Sequence, residues 1–290
     1  MIAHASISTD NGNELGITYF APSNAIEPKG QVVVCAATGV LQGFYKDFAL
    51  FLASRGLGVY TFDYRGIGAS RKGSLKGFKA NLSDWANDIA TVAAHAKKRN
   101  AELPLFAVTH SVGGQLLCLT ESAKNWDGVL TVASQTGYWP YFNGRYKMRM
   151  WLFWYVMLPM FSRITGYFPA KKMGLFEDLP KGVATQWSAW GKHPDYMRSE
   201  FPKAHFDDLQ CAVRGYSILD DEEFAPKAAV DWLHQQFINA EVERIHLVPK
   251  EFNLNSIGHF NFFRKSMQTL FWEDAFSFFE KESNKRLIKL

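Results

Sequence analysis

Short runs of consecutive apolar residues alternate along this chain with stretches whose apolar residues recur at helical spacing. Residues 31–37 (QVVVCAA), 57–63 (LGVYTFD) and 105–109 (LFAVT) are near-continuous hydrophobic segments, as expected of strands buried on both faces of a sheet. Between them, residues 44–55 read as a helix halted by Gly56. Residues 83–99 carry Trp85, Ile89, Val92 and Ala93 at helical spacing, with Ser83 as the expected N-cap. A helix over 112–123 and a strand over 128–133 follow. Farther on, strands at 211–219 and 242–248 alternate with helices at 228–239 and 264–280, and the stretch from Ile7 to Phe20 adds one or two antiparallel edge strands. This rhythm predicts an α/β fold, a mostly parallel sheet with helices on both faces.

The rhythm breaks over residues 137–210. This stretch is aromatic and basic and is punctuated by Pro140, Pro159, Pro169, Pro180 and Pro194. Its place between the sixth and seventh predicted strands marks an inserted, aromatic-rich helical cap over the strand ends. The core is accordingly assigned to 1–136 and 211–290. Trp139, Trp151, Trp154 and Tyr155 in the insertion are candidates for an apolar substrate-pocket wall; the plain alternative is that they pack helices against the core. A lipid-facing amphipathic helix, with Arg145, Lys147, Arg149, Lys171 and Lys172 as its basic neighbours, ranks below both.

Composition narrows the class. The 290 residues are 47% hydrophobic and 21% charged, enough for a real core and unlike a disordered chain. The net charge of +4 is spread without a basic stripe, so nucleic acid is not expected as a partner. Cys35, Cys118 and Cys211 lie far apart in apolar stretches, which suits buried thiols in a reducing compartment. Residues 1–12 lack the layout of a signal peptide, and the longest apolar run, 150–161, is shorter than the roughly 20 residues a bilayer span needs. A cytoplasmic protein with no membrane contact is expected, the sequence leaving monomer or homodimer open. No spacing of His and Cys suggests a metal site, the dinucleotide and P-loop glycine patterns are incomplete, and no cofactor is expected.

The chemistry concentrates in residues 105–123, LFAVTHSVGGQLLCLTESA. A buried strand runs through Thr109-His110-Ser111-Val112-Gly113 directly into a helix, the layout of a nucleophile elbow that exposes a serine hydroxyl above a sheet. Gly113 and Gly114 allow strand and helix to approach; Thr109 stands where the consensus has glycine. The bland alternative is a serine that merely N-caps the helix. A serine needs a base, and the base an acid to orient it. Asp220 and Asp221 close the strand at 211–219, and His259 lies in the loop between the last strand and the last helix. Asp221 is favoured as the acid, with Asp220 close behind. His110 adjoins Ser111 but should point away from it.

These pieces together resemble the α/β-hydrolase superfamily, and within it the predicted hydrolases similar to serine aminopeptidases and monoglyceride lipases. The resemblance rests on AATGVLQGFYKDFALFLASRGLGVYTFDYRGIGAS, THSVGG, ILDDEEFAP and IGHFNFF, which occur in family order over about residues 31–135 and 211–280. It implies that Thr38-Gly39-Val40 replaces the family's His-Gly-x loop, that the oxyanion hole is built from the N–H groups of Val40 and Val112, and that Asp63-Tyr64-Arg65-Gly66 is a structural turn. The expectation is a serine hydrolase, carboxylesterase- or lipase-like. It would cleave an ester, or an amide or thioester, of a small apolar or aromatic acyl substrate through an acyl-enzyme on Ser111. An acyltransferase with the same triad and a non-catalytic binding protein on the same fold are the alternatives.

Overall fold

The computed structural model describes residues 1–23 and 26–288; residues 24, 25, 289 and 290, which fall within the spans assigned to the core, lie outside the described residues. The chain opens with an antiparallel pair, β1 (Ile2–Ser8) and β2 (Glu14–Phe20), then β3 (Gly30–Cys35), α1 (Lys46–Ser54) and β4 (Leu57–Phe62). Next come α2 (Leu82–Arg99), β5 (Leu105–His110), α3 (Val112–Leu116) and β6 (Gly128–Val132). The insertion holds α4 (Gly144–Leu152), α5 (Leu158–Thr165), the small strands β7 (Tyr167–Phe168) and β8 (Leu179–Pro180), and α6 (Lys181–Lys192). The sheet then resumes with β9 (Ala212–Ile218), α7 (Lys227–His234) and β10 (Glu241–Leu247), followed by α8 (Gly258–Asn261) and α9 (Glu273–Ile288).

Eight strands form one sheet in the order β1-β2-β4-β3-β5-β6-β9-β10. β1 and β2 are antiparallel to their neighbours, and all pairs from β4 to β10 are parallel. The parallel strands β3, β4, β5 and β6 are buried at every position, because helices cover both faces. That is why they read in sequence as unbroken apolar runs. Their shared direction brings the turns after β3, β5, β9 and β10 to one edge of the sheet, where open α/β sheets bind ligands.

Several boundaries differ from the sequence reading, among them the end of α7 at His234 rather than at residue 239. The cap of α2 is Asn81, not Ser83: its side chain accepts from Asp84 N–H while the Asp84 carboxylate accepts from Asn81 N–H, a reciprocal box that satisfies two otherwise orphaned donors. α3 stops at Leu116 and a short 3₁₀ segment covers Glu121–Asn125. The last helix begins only at Glu273, after a wide turn over Gln268–Trp272. Cys35 and Cys118 are buried free thiols, while Cys211 is half-buried. Among the described residues no helix is long and apolar enough to cross a membrane.

Candidate active site

Ser111 sits between β5 and α3 with φ 52° and ψ −115°, a backbone geometry that costs an L-residue on the order of 1–3 kcal/mol. The turn is this sharp because α3 packs directly on the neighbouring strands. A methyl group at Gly113 would stand 2.3 Å from the Cys35 carbonyl oxygen, and one at Gly114 would stand 2.5 Å from the Ser134 side chain. Thr109, off the consensus, is accommodated because Gly114 leaves it room, and its hydroxyl meets Ser134 Oγ at 3.2 Å. The Ser111 side chain makes no capping hydrogen bond to α3, so the N-cap alternative does not describe it. The hydroxyl borders a cavity of about 780 Å³ between the sheet edge and the insertion.

His259 borders the same cavity. Its Nδ1 lies 2.6 Å from Asp221 Oδ2, with only 4% and 1% of the two side chains exposed. Burial pushes the Asp221 carboxyl above its usual range, opposed by the charge of His259 beside it. Asp220 does not touch the ring. Its exposed carboxylate instead accepts from Ser256 Oγ (2.6 Å), Ile257 N–H (3.0 Å) and Gly258 N–H (3.1 Å), clasping the loop that leads into α8, the short helix on which His259 sits rather than in the loop expected from the sequence. The two acids left open by the sequence therefore have different work, one on the imidazole and one on its loop. Ser111 Oγ and the His259 ring share the cavity wall without a hydrogen bond between them. In ligand-free enzymes such bonds are often long and tighten only when substrate arrives.

His110 does point away from the cavity, and it ties three loops together. Its Nε2 donates to the carbonyl of His259 (2.9 Å), which can only accept, so its Nδ1 must accept from Tyr45 Oη–H (2.9 Å). The Tyr45 oxygen in turn accepts from Ala37 N–H at 2.9 Å. Burial drives the His110 pKa well below the ordinary imidazole value, so the ring stays neutral and this donor order is fixed. The elbow, the histidine loop and the loop after β3 are thus held in one register.

Val112 opens α3, so its N–H is among the helix donors with no intrahelical acceptor. The Val40 N–H, in contrast, is donated to the Ala37 carbonyl at 3.1 Å. Asp63-Tyr64-Arg65-Gly66 is a structural turn: Arg65 is 2% exposed and pairs with the buried Asp88.

Of the four aromatic residues proposed for the pocket wall, only Trp154 lines the cavity. Trp151 and Tyr155 stack on each other 5.2 Å apart on the exposed side of the insertion, and Trp139 lies under Lys147. The reason is helical phase: α4 runs through a wide turn at Phe153–Met157 into α5, which carries Phe153, Trp154 and Met157 to the cavity and their neighbours outward. Sequence reasoning missed Phe44, Phe224 and Phe260 from the core and Phe176 and Trp187 from the insertion, all of which line the cavity. It also missed Gln115, although a polar residue four positions after Ser111 in an otherwise apolar helix was a readable signal.

The chain is similar in sequence or in fold to several known proteins. The sequence pattern of the family described as "Serine aminopeptidase, S33" matches residues 26–181. A monoacylglycerol lipase of Mycolicibacterium smegmatis is 31% identical over 101 residues, 35% of this chain and 35% of that protein. A putative monoglyceride lipase of Schizosaccharomyces pombe is 38% identical over 92 residues, 31% of this chain and 24% of that one. The matched stretches thus span only about a third and a quarter of these relatives. Among solved structures, a monoglyceride lipase from Saccharomyces cerevisiae (TM-score 0.68, 14% identity, 96% and 94% of the two chains) is similar in fold. So is a thermostable carboxyl esterase from Bacillus coagulans (TM-score 0.67, 13% identity, 97% and 99% of the two chains). With its sheet order, its elbow and more than half its length matching one family pattern, the chain belongs to the serine aminopeptidase S33 family of the α/β-hydrolase superfamily.

Proposed function

We propose that this protein is a serine hydrolase of the esterase or monoglyceride-lipase type, acting on an ester with a largely apolar acyl group. The observation that carries the reading is the 2.6 Å His259–Asp221 pair facing the same cavity as Ser111 on its strained elbow. Ser111 Oγ attacks the ester carbonyl while His259 Nε2 takes its proton. Asp221 keeps the Nδ1 proton in place and stabilises the imidazolium. His259 then protonates the leaving alcohol, and water, activated by the same ring, releases the acyl group from Ser111. Val112 N–H is the ready donor to the developing oxyanion. Val40 N–H joins it only by sharing or leaving its bond to Ala37, and each such donor lowers the barrier by about 2.7–4 kcal/mol. The insertion acts as the cap, its inward aromatic residues shielding the acyl chain from water.

A fluorophosphonate probe should label the wild type and not Ser111→Ala, and turnover of short p-nitrophenyl esters should vanish in His259→Ala. Equal labelling of wild type and Ser111→Ala removes the nucleophile assignment.

A second reading concerns where the substrate comes from. The outer face of α4, the wide turn and α5 exposes Met148, Trp151, Tyr155, Met160 and Ile164, with Arg145, Lys147 and Arg163 on the two helices. An apolar stripe with basic flanks suits the surface of an anionic bilayer, contrary to the expectation of no membrane contact. Flotation with anionic vesicles should carry the protein upward; complete recovery in the vesicle-free fraction removes this reading.

A further inference from the structure

Three carboxamides line the cavity above Ser111, and two of them, Gln115 and Gln135, each leave one buried polar atom without a partner among the described residues, as Thr38 also does. Gln115, on α3, is fully buried. The Tyr196 hydroxyl donates to its Oε1 at 3.0 Å, and the Tyr196 oxygen accepts from Trp187 Nε1–H at 2.8 Å. That relay runs from the cap helix α6 to the nucleophile helix and leaves Gln115 Nε2 as the unpaired donor. Gln135, just beyond β6, is 5% exposed. Its Nε2 donates to the Phe224 carbonyl at 2.9 Å. A carbonyl can only accept, so the orientation of the amide is fixed and Oε1 is the unpaired acceptor.

We infer that Gln115 and Gln135 form a polar subsite that selects ligands bearing a neutral group able both to accept and to donate a hydrogen bond, a hydroxyl or a carboxamide, within their otherwise apolar part. An ether or ester oxygen answers only Gln115, an ammonium group only Gln135, and a hydrocarbon neither. Buried polar groups are ordinarily satisfied, and leaving one unmet on ligand binding disfavours the wrong ligand by roughly 5- to 100-fold. The site adds direction to the apolar pocket of the proposed hydrolase. It rests on that reading for the ligand being a substrate, but not for the binding itself.

The test is equilibrium binding to the intact protein, read by calorimetry or by the fluorescence of Trp154 and Trp187, which line the cavity. Two matched pairs of unreactive ligands serve as probes: 2-octyloxyethanol against its methyl ether, and N-octylacetamide against its N-methyl derivative. Methylation removes the donor and keeps the acceptor. The wild type should prefer the donor-bearing member of one pair by roughly 5- to 100-fold, the pair identifying hydroxyl or carboxamide as the group recognised. Gln135→Met should abolish that preference, whereas Gln115→Met should weaken both members of the pair together. The inference is overturned by equal affinity within both pairs, by no binding of any probe, or by a preference unchanged in Gln135→Met. Because none of the probes is cleaved, failure of the esterase assignment shows separately, as loss of fluorophosphonate labelling at Ser111 with the binding preference intact.

Discussion

Replacing Asp221 by Asn tests the catalytic line most directly. The substitution keeps the shape of a side chain that is 1% exposed and lies 2.6 Å from His259 Nδ1, so the fold should be little disturbed. What changes is the proton. The carboxylate can only accept and holds hydrogen on Nδ1, leaving Nε2 free to act as base. An amide can turn its NH₂ toward Nδ1 and so favour the tautomer with hydrogen on Nε2, which cannot take a proton from Ser111. A tautomer error of this kind lowers kcat by about 10⁴, or about 5.5 kcal/mol at about 1.4 kcal/mol per decade. Asp220→Asn is the internal control. That carboxylate accepts three hydrogen bonds from residues 256–258, and loosening the loop should misplace the ring at a cost of roughly 10- to 100-fold. Steady-state hydrolysis of a p-nitrophenyl ester, with thermal melts to confirm folding, measures both. The reasoning fails if Asp221→Asn keeps more than about a tenth of wild-type kcat, against the four decades expected, or if Asp220→Asn is the more damaging of the two.

Three further outcomes follow from the packing. His234 is held neutral between the Val230 carbonyl and the Thr131 hydroxyl, and burial lowers its pKa to about 3. The unfolded chain therefore binds the extra proton first, and stability present above about pH 6.5 drains away as pH falls toward 3. From His234 alone the loss by pH 4.5 is about 2.7 kcal/mol, with buried His110 acting in the same direction; chemical denaturation at pH 7 and pH 4.5 measures it, and a His234→Gln variant should show a shallower slope. Gly113→Ala drives a methyl group against the Cys35 carbonyl oxygen and should destabilise by about 1–3 kcal/mol or more, read as a lowered Tm with fluorophosphonate labelling reduced even where the chain folds. Tyr45→Phe strips partners from Ala37 N–H and His110 Nδ1 and should cost about 1–3 kcal/mol per orphaned group. A Tm and kcat equal to wild type would show that this link does not hold the loops together.

Much of the site was readable because its parts are local. The strand–serine–helix pattern around Ser111 and the glycines behind it are consequences of a close backbone approach, which leaves its mark within a few residues. His259 was separable from seven other histidines by its place between the last strand and a helix. Asp220 and Asp221 were not separable, since adjacent residues share one composition and differ only in direction: after β9 one side chain turns inward to the ring and the other outward to the loop. The family resemblance points to Val40 and Val112 as oxyanion donors, but the bond that already holds the Val40 N–H to Ala37 is a property of turn geometry, which no local pattern shows.

The sequence by itself determined the parallel sheet, the order of the chemical groups along it and the break at the insertion, because buried strands and sharp turns restrict residue type at short range. Only the tertiary structure decided which aromatic residues of the insertion face the cavity. The wide turn at Phe153–Met157 resets the helical phase and sends Trp154 inward and Trp151 and Tyr155 outward. It alone joined Trp187, Tyr196 and Gln115 in one relay, since hydrogen bonds between residues far apart in the chain have no signature in the local pattern of either partner.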